Sequence, residues 1–436
     1  MKSAIILLAS LVAAGPTLAE TVRIDADGAV EMALGASEAM ARARNAAEQA
    51  RMQQHVARTA YLPKFAGSVT TGWSLPDTEY PEMGISLRMR GLYMAGINLT
   101  QPIFAGGKIL AANKLAGIGR QAADRQLELQ RMDVSAQAQQ SYWSYVAVLA
   151  KVDMMQSYMA QIDTAYAQTR ATVDAGMATR TDLLRVEARR SEVAYQLGQV
   201  SNGADLCRLA LCDVLGLEAD TEIIPADTEA EAMIPADLYD YDLTLRPEYQ
   251  LMEIDIAAKR QQVNLTRADY LPVLGLQAGW MAYGNIRLNM ATMGPDGNYY
   301  PLQQKIQSQG WSIMASLQVP LFHWGEGYKK VKSARLDVSN AELTLQENSR
   351  KLNLQIRQAI ANLQTARAQL QAAELAMTQA DASLAATTQS HELGMATITD
   401  LLGAQSQWHT SRANLIEART QLRSSLVDYR RATARL

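Results

Sequence analysis

The chain has 436 residues, 41 basic against 44 acidic side chains and 48% hydrophobic residues, which allows a sizeable core but lacks the basic excess of a nucleic-acid binder. Its two cysteines, Cys207 and Cys212, stand five apart in a helical-looking stretch, so at ~100° per residue they face different ways and read as small buried thiols. His55, His323, His391 and His409 are scattered without metal spacing or a Ser or Cys nucleophile beside them, so no catalytic, metal or cofactor residue is predicted.

In chain order, residues 1–19 read as a cleaved secretory signal: Lys2 precedes the apolar run Ala4 to Ala14 and the small-residue site Thr17-Leu18-Ala19. A membrane anchor is the alternative, but roughly 11 apolar residues fall short of the ~20 a spanning helix needs. After residue 19 no window is long and apolar enough for a membrane helix, so an exported chain meets a bilayer only as a β-barrel.

The remainder repeats. Gly-Met-Ala-Thr at 176–179 returns at 394–397 and Thr-Asp-Leu-Leu at 181–184 returns at 399–402, both offset by 218. Pro102, Phe104 and Gly107 find Pro320, Phe322 and Gly325 at the same offset, and Tyr61-Leu62-Pro63 returns as Tyr270-Leu271-Pro272. The expected organisation is a first copy over 20–215, an acidic connector over 216–245 and a second copy over 246–436. The connector reads as a collar or as a solvated linker.

Each copy is expected to open with a helix, from about Glu31 in the first and from Pro247 to Asp269 in the second. Strands follow at ~64–73 and ~92–104, and at ~273–283 and ~310–322, because the pattern changes there to period two. Phe65, Val69, Thr71 and Trp73 alternate with small or polar residues, as do Trp311, Ile313, Ala315 and Leu317, giving one lipid-suited face and one wet face. Residues 74–90 and 284–308 read as long polar loops. Trp73, Trp280, Trp311 and Trp324 are expected at strand ends as an interfacial aromatic girdle, with ordinary burial as the competing assignment.

Long helical hairpins come next, over ~107–215 and ~325–434, since no proline lies between Ile103 and Ile224 or after Pro320. Apolar residues step by three or four along both, as at Tyr142, Tyr145, Leu149 and Val152, and at Ile356, Ile360 and Leu363, a coiled-coil-like seam. Each outgoing helix of roughly 68 residues would reach ~100 Å. The tips fall at ~174–182 and ~393–400, where Gly176 and Gly394 suit left-handed C-caps. Thr179 and Thr397 suit N-caps, with Asp182 and Asp400 at the third helical position completing capping boxes.

Four strands cannot close a barrel alone, and open edges in lipid are costly. Two copies would pool eight strands and three would pool twelve; conduction favours three, because eight leave an interior filled by side chains.

The YLP marks, the QPIFAGGK and VPLFHWGEG corners, RPEY at Arg246 to Tyr249 and the GMAT.TDLL turns, in order and repeated, resemble the TolC family of outer-membrane efflux proteins over essentially the whole mature chain. The resemblance implies a mixed α and β membrane protein. Three protomers would give a twelve-stranded outer-membrane β-barrel, four strands each, continued by a long α-helical coiled-coil barrel in the periplasm. It implies an exit duct with a periplasmic adaptor and an inner-membrane pump as partners. It places the adaptor-docking tips at Gly176, Thr179, Leu183, Gly394, Thr397 and Leu401, and an acidic entrance ring at Asp400, with Thr397 and Asp182 beside it. A second acidic ring would fall on Gly403, where this sequence has no carboxylate. For Asp182 and Asp400 helix capping competes with pore lining. A non-conducting coiled-coil spacer anchored by a small barrel is the competing function.

Overall fold

The computed structural model describes residues 21–80, 82, 85–226 and 234–436, so the expected signal at 1–19 and part of the connector lie outside the described residues. In chain order the elements begin with β1 (Thr21–Ile24), α1 (Ala26–Ala36), α2 (Glu38–Thr59), β2 (Lys64–Trp73), β3 (Thr78–Tyr80), β4 (Ile85–Arg88) and β5 (Arg90–Ala105). They continue with α3 (Lys108–Asp174), α4 (Arg180–Leu215), β6 (Glu222–Pro225), α5 (Pro247–Ala268), β7 (Val273–Met293), β8 (Tyr299–Gln318), α6 (Glu326–Glu392) and α7 (Ile398–Ala432). Contacts divide the chain into two units, one of residues 46–124 and 251–346, the other of 21–45, 125–250 and 347–436.

The first unit holds an antiparallel sheet in the order β2-β5-β7-β8, with the small β3-β4 hairpin beside the far half of β7. Its register gathers the alternating apolar residues on one face. Phe65 pairs with Leu99, Ile97 with Trp280, Trp280 with Trp311 and Ala278 with Ile313. The other face carries Ser68, Asn98, Gln277, Ser312 and Ser316, because successive residues of a strand point oppositely. Phe65, Val69, Trp311, Ile313 and Leu317 are exposed, an apolar surface with nothing on it in one chain.

Several expectations fail here, and the expected loop at 74–90 also carries the β3-β4 hairpin. Residues 284–308 are mostly strand rather than a long loop: β7 runs to Met293, β8 starts at Tyr299, and a tight turn joins them, with the Gly294 amide donating to Asn298 O at 2.8 Å. The polar residues read as loop are partnered within the sheet, Gln303 Nε2 donating to Asn289 Oδ1 at 2.9 Å and Asn289 Nδ2 to Ser86 Oγ at 3.1 Å. A bulge at Asn285, which adopts φ 63°, breaks the alternation, and its amide donates to Arg90 O and Gly91 O. Trp280 and Trp311 are consequently a cross-strand pair inside longer strands, whereas Trp73 ends β2 and Trp324 lies beyond β8. The last strand also stops at Gln318 instead of 322.

The second unit is built on the proline-free helices. Among the described residues no helix is long and apolar enough to cross a membrane. Tyr142, Leu211, Leu215 and Cys212 pack with Ile24, Ala29 and Ile223, each large apolar side chain contributing ~1.5–3 kcal/mol by burial. Tyr142 donates to Ile24 O and Tyr145 to Ile223 O, both at 3.2 Å, so the two buried phenols hold the parallel β1-β6 pair against α3. Cys207 and Cys212 are free thiols. The opening helix differs from expectation by starting at Ala26, where Asp25 caps α1 by accepting from Gly28 N at 2.8 Å, and by breaking at Ser37.

The far side of the connector is not solvated linker: Ile234, Leu238, Tyr241 and Leu243 pack on Ile356, Ile360, Leu363 and Tyr429. Tyr429 donates to Leu238 O at 3.3 Å. At the start of α5, Glu248 lies 2.9 Å from buried Arg246 and 2.8 Å from Arg431, which also reaches Asp133 at 2.7 Å. Burial pushes the Glu248 carboxyl up, but the Arg246 hydrogen bonds and the two guanidiniums outweigh it and hold it below the usual carboxylate range.

Candidate functional site at the paired helical turns

Each turn stops one helix and starts the next within five residues. At the first, Gly176 at φ 73° lets its amide donate to Val173 O (2.9 Å) and that of Met177 to Thr172 O (2.8 Å), which satisfies the last carbonyls of α3. At the second, Gly394 at φ 72° does the same toward His391 O and Ser390 O. A side chain at either glycine would be strained by the left-handed backbone.

The next helix then opens with a capping box. Thr179 Oγ1 accepts from Asp182 N at 3.2 Å, while Asp182 Oδ2 accepts from Thr179 N at 3.3 Å and from its hydroxyl at 2.6 Å. Thr397 and Asp400 repeat this at 3.2, 2.9 and 2.6 Å. The threonine hydroxyl and then the amide favour the ionised carboxylate, so both aspartates titrate below the usual range. The two glycines, two threonines and two aspartates thus all sit in the turns where the sequence places them.

The surroundings of the two aspartates differ. Arg185 Nη1 lies 3.6 Å from Asp182, whereas among the described residues no cation lies within ion-pair distance of Asp400, because Gly403 stands at the position 218 residues after Arg185. Asp400 is exposed and keeps an uncompensated charge; Asp182 is half-buried and neutralised.

Arg185 also ties the turns together, donating to Thr399 Oγ1 at 3.0 Å. One turn deeper, Arg189 donates to Tyr158 OH at 2.9 Å, to Ser406 Oγ at 2.8 Å and to Glu192 at 2.7 Å. The His409 ring lies against Tyr158, tilted by 41° with centroids 4.5 Å apart, and its Nδ1 is buried without a hydrogen-bond partner. Burial first, and then the Arg189 charge, push the His409 pKa down. A hydrogen-bonded strap therefore crosses from α4 to α7. The sequence reading missed it, although the copies diverge there: Arg185 and Arg189 have Gly403 and Gln407 as counterparts.

Below the strap Ala165, Val186, Ile398 and Leu401 form a small core. Leu401 is only 5% exposed, so it supports the turn and does not present the docking side chain expected of it. Leu183 is half-buried, and the exposed apolar side chains of the turns are Met177, Leu184, Leu393 and Met395. Among the described residues no group of three or more histidine, cysteine or acidic side chains could hold a metal ion.

The model of the outer membrane efflux protein family matches residues 29–216 and 238–435. The chain is 24% identical over 375 residues to the outer membrane efflux protein BepC of Brucella suis, covering 83% of this chain and 75% of that one. It is 23% identical over 385 residues to the outer membrane protein TolC of Vibrio cholerae, covering 87% and 83%. Among solved structures, CusC shares the fold with a TM-score of 0.76 at 14% identity, over 94% of this chain and 92% of that one.

Proposed function

The chain belongs to the outer membrane efflux protein family, and from that premise we propose that three copies pool their four-stranded sheets into one twelve-stranded barrel, with the helical hairpins continuing it as a tunnel. The protein is an exit duct of the outer membrane, in a family of transport channels rather than enzymes. Membership sets aside the non-conducting spacer.

The observation that carries the assembly is the pair of edges. Among the described residues β2 pairs only with β5 and β8 only with β7, while the sheet between them shows an apolar face. An unpaired backbone group in hydrocarbon costs several kcal/mol, and joining β8 of one copy to β2 of the next removes both of these edges. The polar face then lines the lumen. Three copies agree with conduction, since eight strands would leave a filled interior.

The turns form the entrance. Asp400, exposed and uncompensated, supplies one carboxylate per copy, a ring that attracts cations; Thr397 holds it in position and Asp182 stays neutralised by Arg185. A periplasmic adaptor docks on Met177, Leu184, Leu393 and Met395 around Gly176 and Gly394, and an inner-membrane pump delivers the cargo through it. Light scattering of the purified protein, corrected for detergent, tests the assembly. A trimer is expected; a monodisperse monomer would overturn it.

A further inference from the structure

The two strand-to-helix corners start from the same pattern and end differently. In the first, Gly106 and Gly107 adopt φ 59° and 83°, and a Cβ on Gly106 would lie 2.7 Å from Ala268 O and Leu271 Cβ. The positions 218 residues on are Trp324 and Gly325, with φ 50° and 77°. A tryptophan in the left-handed region is strained, and a strained residue that persists points to a use for its side chain. That side chain is 90% exposed, with Phe322 edge-on to it at 4.9 Å and Leu321 and Tyr328 also exposed.

The charges around the corner differ too. Lys108, which opens α3, is paired with Asp269 at 2.7 Å. The first ten residues of α6 hold Lys329, Lys330, Lys332 and Arg335 against Glu326 alone. Lys330 is paired with Glu326; Lys329, Lys332 and Arg335 are exposed, with no ion-pair partner among the described residues. Their counterparts in α3 are Ala111, Lys114 and Gly117. Four cations within residues 329–335 repel one another, so the cluster fits a surface that supplies negative charge. Tyr328, Lys332 and Arg335 follow spacings of four and three, which puts them on one face of α6.

We propose that residues 321–335 form a binding surface for anionic glycerophospholipids at the helix-side face of the bilayer. Phe322 and Trp324 lie at the boundary between headgroups and acyl chains, and Lys329, Lys332 and Arg335 hold the headgroup phosphodiesters. The surface continues the apolar face of β8, whose exposed Trp311, Ile313 and Leu317 lead to the corner. Aromatic rings at the headgroup level with lysine and arginine reaching past them are what such an interface selects, and basic clusters there recognise acidic lipid. The proposal rests on the seating of this sheet in lipid.

The test uses the purified full chain reconstituted in phosphatidylcholine vesicles carrying an equal fraction of brominated phosphatidylcholine or brominated phosphatidylglycerol. The quenching due to Trp324 is the parent signal minus that of Trp324→Phe. Brominated phosphatidylglycerol is expected to quench it about threefold more effectively, with the preference weakened by salt and lost in the K329Q/K332Q/R335Q variant. R350Q/R357Q, altered 15 or more residues further along α6, is expected to keep it. Equal quenching by both lipids in the parent would overturn the proposal alone, as would a preference that survives in the triple variant. No quenching by either lipid would overturn the seating of the corner and the proposal with it.

Discussion

The two helical turns share a backbone and differ in charge. Gly176 and Gly394, Thr179 and Thr397, and Asp182 and Asp400 make the same caps at nearly the same distances. Immediately afterwards one copy has Arg185 and Arg189 where the other has Gly403 and Gln407, and the arginines of the first reach the second, at Thr399 and Ser406. The shared part is what any tight helix reversal needs. The difference assigns one turn to holding the pair together and leaves the other with a free carboxylate.

The largest expected effect comes from the strap. Arg189→Ala leaves Tyr158 OH and Ser406 without their charged donor, a loss of ~1.5–3 kcal/mol, whereas Gln407→Ala at the matching position stays within ~0.5 kcal/mol. Thermal unfolding followed by circular dichroism measures both; equal shifts would erase the asymmetry. Removal of the caps sharpens the comparison from the other side. Thr179→Ala and Thr397→Ala should each cost ~1 kcal/mol, and a large difference between them would show that the boxes are not equivalent.

How much of this was legible in the sequence follows from which residues act locally. Caps and glycine turns depend on neighbours a few residues away, so GMAT.TDLL was enough to place them. The strap, the β1-β6 pair and the packing of 234–243 on Tyr429 depend on partners far apart in sequence, which no local pattern names. The length of β7 and β8 was missed because polar strand residues such as Asn289 and Gln303 look like loop until their cross-strand partners are known. Leu401 repeats Leu183, and only packing tells that the first is buried.

Acid separates the turns more gently. The His409 pKa is depressed by burial and by Arg189, which in turn is bonded to Tyr158, the ring against His409, and to Glu192. The stability this gives is complete above the unfolded value of ~6.5 and declines as the pH falls below it, because the unfolded chain binds the proton more readily. His409→Gln should flatten the dependence of melting temperature on pH as it falls below about 6.5. A parent melting temperature already flat over that range would contradict the assignment. The Asp182 and Asp400 boxes, whose carboxylates titrate low, keep their contribution down to about pH 4 and lose it as each is protonated below that.

The most direct test of the account is the single-channel conductance, with and without a polyvalent cation, of the parent, Asp400→Asn and Asp182→Asn in a planar bilayer. Asparagine keeps the volume and much of the capping, so all three should conduct. Asp400→Asn is expected to lose cation block, because it removes the uncompensated carboxylate from every copy, while Asp182→Asn, whose charge Arg185 already offsets, should behave like the parent. If the two substitutions change block equally, or neither does, then Asp400 does not line the entrance and both aspartates are helix caps and nothing more.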